Sequence, residues 1–234
     1  MYTQGILRLF RFGPEAIWFG AGVLMLSLTG NSAVFAQEDK DDTFVGLQRV
    51  ESSSLDELYV KPDVNFARYD KITIGNIPVS FNPYWRRDHR QNLTDSDVER
   101  IQETMARLLR EQFVEEFTEE GGYKLVEAEE ADETTLLFSP SIVRLNLYAP
   151  DTSAPGIRES FVTSAGHATL SLDVYDAVSG ELLMHVQDYR FTKGFGDRIF
   201  IRATRASNAF QMRRLMSIWA DRVHDRIVDL GGKT

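Results

Sequence analysis

The 234-residue chain contains no cysteine. That absence excludes disulfides, thiolate nucleophiles, cysteine-ligated zinc, iron–sulfur clusters and an acylated N-terminal cysteine at once. Histidine is scarce as well: His89, His167, His185 and His224 are scattered, with no HExxH and no nucleophile-elbow pattern around them. Positive charge is in deficit, with 26 Lys and Arg against 35 Asp and Glu, and the net charge of −9 excludes binding to nucleic acid by the surface as a whole. No internal repeat or long low-complexity tract is visible. What is present, 43% hydrophobic and 11% aromatic residues, is the balance of a globular protein that can bury a core without disulfide staples.

The N-terminus carries an address. Arg8 and Arg11 precede Ala16–Leu28, an uncharged and mostly apolar run, and small or polar residues fill Thr29–Ala36. This is the three-part pattern of a secretory signal. Val34 and Ala36 stand at the −3 and −1 positions of a cut, which predicts cleavage after Ala36 and a periplasmic destination. The alternative, a retained anchor helix, calls for about 20 apolar residues. The chain thus divides into a signal peptide at 1–36, a flexible acidic leader at 37–54 and a single domain at 55–234.

Within that domain, the alternation of Ile72, Ile74, Val79 and Phe81 predicts a first strand, made irregular by Pro78. Thr94 caps a helix with Asp95 and Asp97 in its first turn; Val98, Ile101, Met105, Leu108, Leu109, Phe113 and Phe117 give it one buried side, and Gly121-Gly122 end it. A short strand follows at Tyr123–Val126. A longer one covers Thr134–Tyr148, with Val143, Leu145 and Leu147 on one face and a bulge or bend at Pro140. Ala168, Leu170, Leu172 and Val174 alternate with polar residues, Asp176–Gly180 turns, and Glu181–Phe191 returns as the second arm of a hairpin. Met212, Met216, Trp219, Val223, Ile227 and Leu230 share one face of a last helix from about Ala206 to Leu230. The order β-α-β-β-β-β-α predicts an α+β fold, an antiparallel-rich sheet with both long helices packed on one face.

Three segments carry a resemblance. The block Leu58-Tyr59-Val60-Lys61-Pro62-Asp63-Val64 through Phe66-Ala67-Arg68-Tyr69-Asp70-Lys71-Ile72, the stretch Leu172–Leu182 with Asp176 and Ser179-Gly180-Glu181, and the helix with Trp219 together resemble domain-of-unknown-function family 3313. The resemblance spans roughly Leu55 to Leu230. It implies an exported, often lipid-anchored envelope protein of unassigned activity, and it brings no catalytic residues with it. This chain departs from the lipid-anchored members in having no cysteine to acylate. Physically, these segments read as scaffolding: Asp176 and Ser179-Gly180 suit a tight turn whose amides a short carboxylate can take, and the Tyr-Val-Lys-Pro-Asp stretch is an extended lead-in.

Two stretches stand out against the acidic background. Asn82–Arg90 gathers Tyr84, Trp85, Arg86, Arg87, His89 and Arg90, and Lys193–Arg205 carries Lys193, Arg198, Arg202 and Arg205. Each reads as a loop after a strand and before a helix, so two helices on one sheet face would bring them to a shared anion-binding rim. The bland alternative is that the arginines cap carbonyls or pair with the surplus carboxylates. Glu115, Glu116, Glu119 and Glu120 close the first helix against its dipole; they read as a solvated face, since no calcium-loop spacing is present, with a cation, a basic partner or one of Arg213, Arg214, Arg222 and Arg226 as the sharper alternative. His167 and His185 offer a zinc pair if they face each other across the hairpin, against the commoner reading of a packed or exposed pair.

Together these features predict a non-enzymatic periplasmic or cell-envelope module that binds an anionic ligand or an envelope protein, with no cofactor, no metal, no nucleic acid and no lipid anchor, and with peripheral envelope association. The alternatives are an envelope-assembly subunit acting by protein contact, and a hydrolase or transferase that pairs His89 with Asp88 or Asp197.

Overall fold

Thr94 and Thr204 start the two long helices in the same way. Each threonine hydroxyl accepts the N–H of the residue three positions on, and that residue's side chain takes the threonine N–H in return: Asp97 for the first helix, Ser207 for the second. The structure, a computed structural model, describes residue 44 and residues 46–89, 93–148, 161–162, 164–192, 201–202 and 204–234, all within the unit Asp41–Thr234. The predicted signal peptide and the acidic start of the leader lie outside the described residues.

The elements are β1 (Gln48–Arg49), β2 (Glu57–Val60), β3 (Lys71–Ile74), β4 (Val79–Phe81), α1 (Pro83–Asp88), α2 (Asp95–Glu115), β5 (Lys124–Leu125), β6 (Thr135–Leu147), β7 (Phe161–Val162), β8 (Gly166–Asp176), β9 (Leu182–Phe191), β10 (Ile201–Arg202) and α3 (Arg205–Asp229). An eight-stranded sheet runs β1-β2-β9-β8-β6-β3-β5, with β4 also paired to β6, and β7 and β10 form a separate ribbon. Pairing is antiparallel from β1 to β6 and parallel where β3 and β4 meet β6 and where β5 meets β3. The α+β class, the mostly antiparallel sheet and the two long helices are as the sequence predicts. The chain enters the sheet ahead of Leu55, however: β1 falls in the stretch read as leader, and the Phe44 ring stacks on His185 at 4.0 Å.

One core joins sheet and helices. Leu136, Phe138 and Ile142 of β6, Leu170, Leu172 and Val174 of β8 and Val186 of β9 are buried with Leu108, Leu109 and Phe113 of α2 and Met212, Met216 and Trp219 of α3. Each large side chain so buried contributes about 1.5–3 kcal/mol relative to exposure, which is why the alternating and helical apolar patterns prevail over local preferences.

The first predicted strand is two strands, β3 and β4, separated by Gly75–Pro78 and both lying parallel beside β6. That gap accommodates Pro140. Phe138 O accepts from Gly75 N at 2.8 Å and Ile142 N donates to Pro78 O at 2.9 Å, so alternation aims the imide position of Pro140 between them, where no ladder bond is lost. Pro140 itself stands opposite Leu172 in regular register. The bulge falls instead between Val143 and Asn146, with Arg144 at φ 54°. Buried positions therefore shift from 136, 138 and 142 to 145 and 147, and Val143, predicted to share the face of Leu145, takes the other one.

Gly166 makes the bulge packable. Its φ is +154°, and a Cβ built there would stand 1.9 Å from Asn146 O. Gly166→Ala is expected to cost at least about 2 kcal/mol, because backbone and not a flexible tip must move; urea unfolding measures it.

Candidate functional site

The first basic stretch is a helix and not a loop. Asn82 accepts the Tyr84 N–H and Pro83 occupies the first turn, a pairing that starts a helix because proline needs no donor there. Trp85 points into the core, 2% exposed, with its indole N–H donating to Leu147 O at 2.6 Å and its faces against Phe81 (4.5 Å) and His89 (4.7 Å). A His89 ring nitrogen lies 2.8 Å from Trp85 O. Trp85 and His89 therefore fasten α1 to β4 and β6, and their rings are occupied by one another.

The remaining side chains of α1 face outward. Tyr84 is 64% exposed and the Arg87 guanidinium lies over its ring at 5.1 Å. Arg86 pairs with Asp95 at 2.6 Å and Arg87 with Asp88 at 3.3 Å, all four side chains more than half exposed. A cleft of about 470 Å3 opens here, lined by Pro83, Arg86, Arg87, Leu93, Asp95 and Val98.

The other predicted site residues are not brought to this cleft by anything described. Arg202 is in β10 and Arg205 opens α3; their side chains, along with Arg90, Lys193, Arg198 and Asp197, lie outside the described residues. The histidine pair is corrected by register: Asp173 stands opposite His185, and Phe191 opposite His167. His185 is buried, 2.6 Å from Asp173 Oδ1 and stacked by Phe44. No group of three metal-ligating side chains occurs among the described residues. For the acidic end of α2, the partner is a histidine: His224 Nδ1 meets Glu116 Oε1 at 3.0 Å, while Arg213 reaches Glu111 at 3.4 Å. Gly121 leaves room for His224, whose Nε2 lies 2.7 Å from where a Cβ would be.

A second cleft, of about 450 Å3, sits where two of the quoted segments meet, between Lys61, Asn65, Arg68, Asp176, Ser179 and Glu181. Asp176 is its organiser. Oδ1 accepts the Val178 and Ser179 N–H groups and Oδ2 the Tyr69 hydroxyl (2.9 Å) and the Arg68 guanidinium (2.7 Å). Burial pushes this carboxyl up, but the turn amides and Tyr69 outweigh it and hold it below its ordinary 3.8. Burial first, then the hydrogen bond and charge of Asp176, push Tyr69 up to about 12. The turn chemistry was legible in Asp176-Ser179-Gly180; its capture of Arg68 and Tyr69, more than a hundred residues earlier, had no local signal.

Because the folded Asp176 carboxyl lies below its unfolded value, its contribution is present above pH about 4 and lost as pH falls through the folded value. Asp176→Asn is expected to lower stability at pH 7 and to flatten its decline between about pH 5 and pH 2, read from denaturant midpoints across that range.

A family model described as "Protein of unknown function (DUF3313)" matches residues 37–223. No curated protein matches the chain. Among solved structures, it is similar to a PelC dodecamer subunit from Paraburkholderia phytofirmans (10% identity, 70% of this chain and 96% of that one, TM-score 0.37). A Xanthomonas campestris protein of the DUF330 family model is similar at 9% identity (74% and 90% covered, TM-score 0.39). A minor lipoprotein from Acinetobacter baumannii is similar at 11% identity (71% and 98% covered, TM-score 0.35).

Proposed function

The chain belongs to the family of proteins of unknown function DUF3313, and from that premise we propose that it is a non-enzymatic, exported binding module of the bacterial cell envelope that engages an anionic ligand or partner through the outer face of α1. The observation that carries the reading is the pair Arg86 and Arg87. Both guanidiniums stand at the mouth of one cleft, side chains 62% and 65% exposed, in a chain of net charge −9.

Their present partners are weak competitors. Asp95 and Asp88 are themselves exposed, and ion pairs in water contribute little. A phosphate or carboxylate group that enters with several oxygens can exchange for them and take both guanidinium forks, with the Tyr84 ring holding Arg87 in place. Arg90, Lys193, Arg198, Arg202 and Arg205 extend the same charge along the chain and are proposed to enlarge the rim. The envelope destination rests on the arginine-flanked apolar leader and the small residues before Gln37. Among the described residues no helix is long and apolar enough to cross a membrane.

The paired variant Arg86→Glu/Arg87→Glu is expected to weaken binding to isolated anionic envelope fragments severalfold while the melting temperature stays within about 2 °C, since only exposed pairs are lost. Unchanged binding, or a collapse in stability, would refute the α1 surface as the site.

A further inference from the structure

Among the described residues, strand β9 is covered on its outer side only as far as Tyr189. β2 pairs with Met184–Gln187. The chain just ahead of β2 then closes the next positions: Asp56 N donates to Asp188 Oδ1 at 3.2 Å, and the Tyr189 N–H donates to Asp56 Oδ2 at 2.8 Å. Thr192 N points the other way, to Gly166 O at 2.8 Å. Alternation along the strand therefore places the Tyr189 C=O and both backbone groups of Phe191 on the outer edge. Among the described residues nothing pairs with these three groups.

A groove of about 320 Å3 runs beside that bare edge, between β9 and α3, and includes Arg190, Phe191, Gln211, Arg214, Leu215 and Ile218. Asp188 reaches Trp219 of α3, so Arg190 and Thr192 share its helix-facing side, while Tyr189 and Phe191, each at least half exposed, form the opposite lip. Two features of the groove await a ligand. Gln211 is 4% exposed, and its Oε1 accepts from Ala165 N at 2.9 Å, yet among the described residues its Nε2 donor has no partner, a state buried amides rarely keep. Among the described residues Arg214 makes no ion pair or hydrogen bond, whereas Arg190 and Arg222 both hold Ser54 O.

We infer that this groove binds an extended acidic segment of a partner protein, added as a strand to the β9 edge. Its backbone pairs with Phe191 and the Tyr189 carbonyl. Alternate carboxylate side chains lie over α3, where Arg214 takes the charge and Gln211 Nε2 donates, and the intervening apolar side chains cover Tyr189 and Phe191. Charge favours this occupant over a second copy of the chain: two-fold pairing in the register that joins Phe191 N to the Tyr189 C=O would set Arg190 against Arg190, and in any register it would bring two arginine-lined grooves together.

The probes are two blocked heptapeptides, one alternating valine with glutamate and one alternating valine with lysine, titrated against the whole protein by fluorescence anisotropy and amide exchange. The glutamate peptide is expected to bind and to slow exchange of the Phe191 amide. Arg214→Glu, on the solvent side of α3, is expected to weaken that binding about tenfold or more with an unchanged melting temperature. Failure of the glutamate peptide to bind, equal binding of both peptides, or indifference to Arg214→Glu would overturn the inference. A dimer in gel filtration with Phe191 already protected would assign the edge to a second copy instead.

Discussion

A single buried carboxylate ties the structure together. Asp188, fully buried in β9, receives the Trp219 indole N–H of α3 at 3.0 Å, the Asp56 N–H ahead of β2 at 3.2 Å and the Arg190 guanidinium at 2.5 Å. Burial pushes its carboxyl above the ordinary value while Arg190 holds it down, and burial prevails. Its charge is thus a net cost at neutral pH that lessens as the group protonates. The core of aromatic and aliphatic side chains carries that cost. In return, three distant segments acquire one relative position, the kind of specificity a buried ionic group can impose.

From that position the surfaces follow. The hydrogen bonds to Asp188 bring residues 54–56 across the outer side of β9, so among the described residues the edge is closed at Tyr189 N and open beyond it. Trp219 in the core sets the rotation of α3, which turns Arg214 and Ile218 toward the groove and His224 toward Glu116. Trp85 does for α1 what Trp219 does for α3: with its indole N–H donated to Leu147 O, the helix is fixed in its facing, and Tyr84, Arg86 and Arg87 take the outside.

Periodic and capped segments were legible in the sequence. The β8–β9 hairpin, the Thr94 cap and the buried stripe of the last helix each depend on neighbours within a few residues. The rest depended on partners far along the chain. Nothing near Arg144 announces a bulge, because it arises where Gly166 approaches β6; Pro140 looked like the irregular point but faces a gap left by Gly75–Pro78. The helix over Pro83–Asp88 did have a signal, asparagine before proline, which the density of cations obscured. The supposed histidine pair failed on register alone, which the turn after Asp176 decides. Of the candidate site, the exposed arginines were legible by type, the inward Trp85 was not, and the Gln211 groove exists only once β9 and α3 are packed.

Among the described residues, outer-edge pairing of β9 ends beside Asp188. Residue-resolved amide hydrogen exchange on the free, monomeric protein tests it most directly, by comparing two neighbouring amides that alternation sends to opposite sides. A Thr192 amide protected by its bond to Gly166 O is expected next to a Phe191 amide that exchanges almost as fast as an unprotected one. Equal protection of the two in the monomer would contradict it.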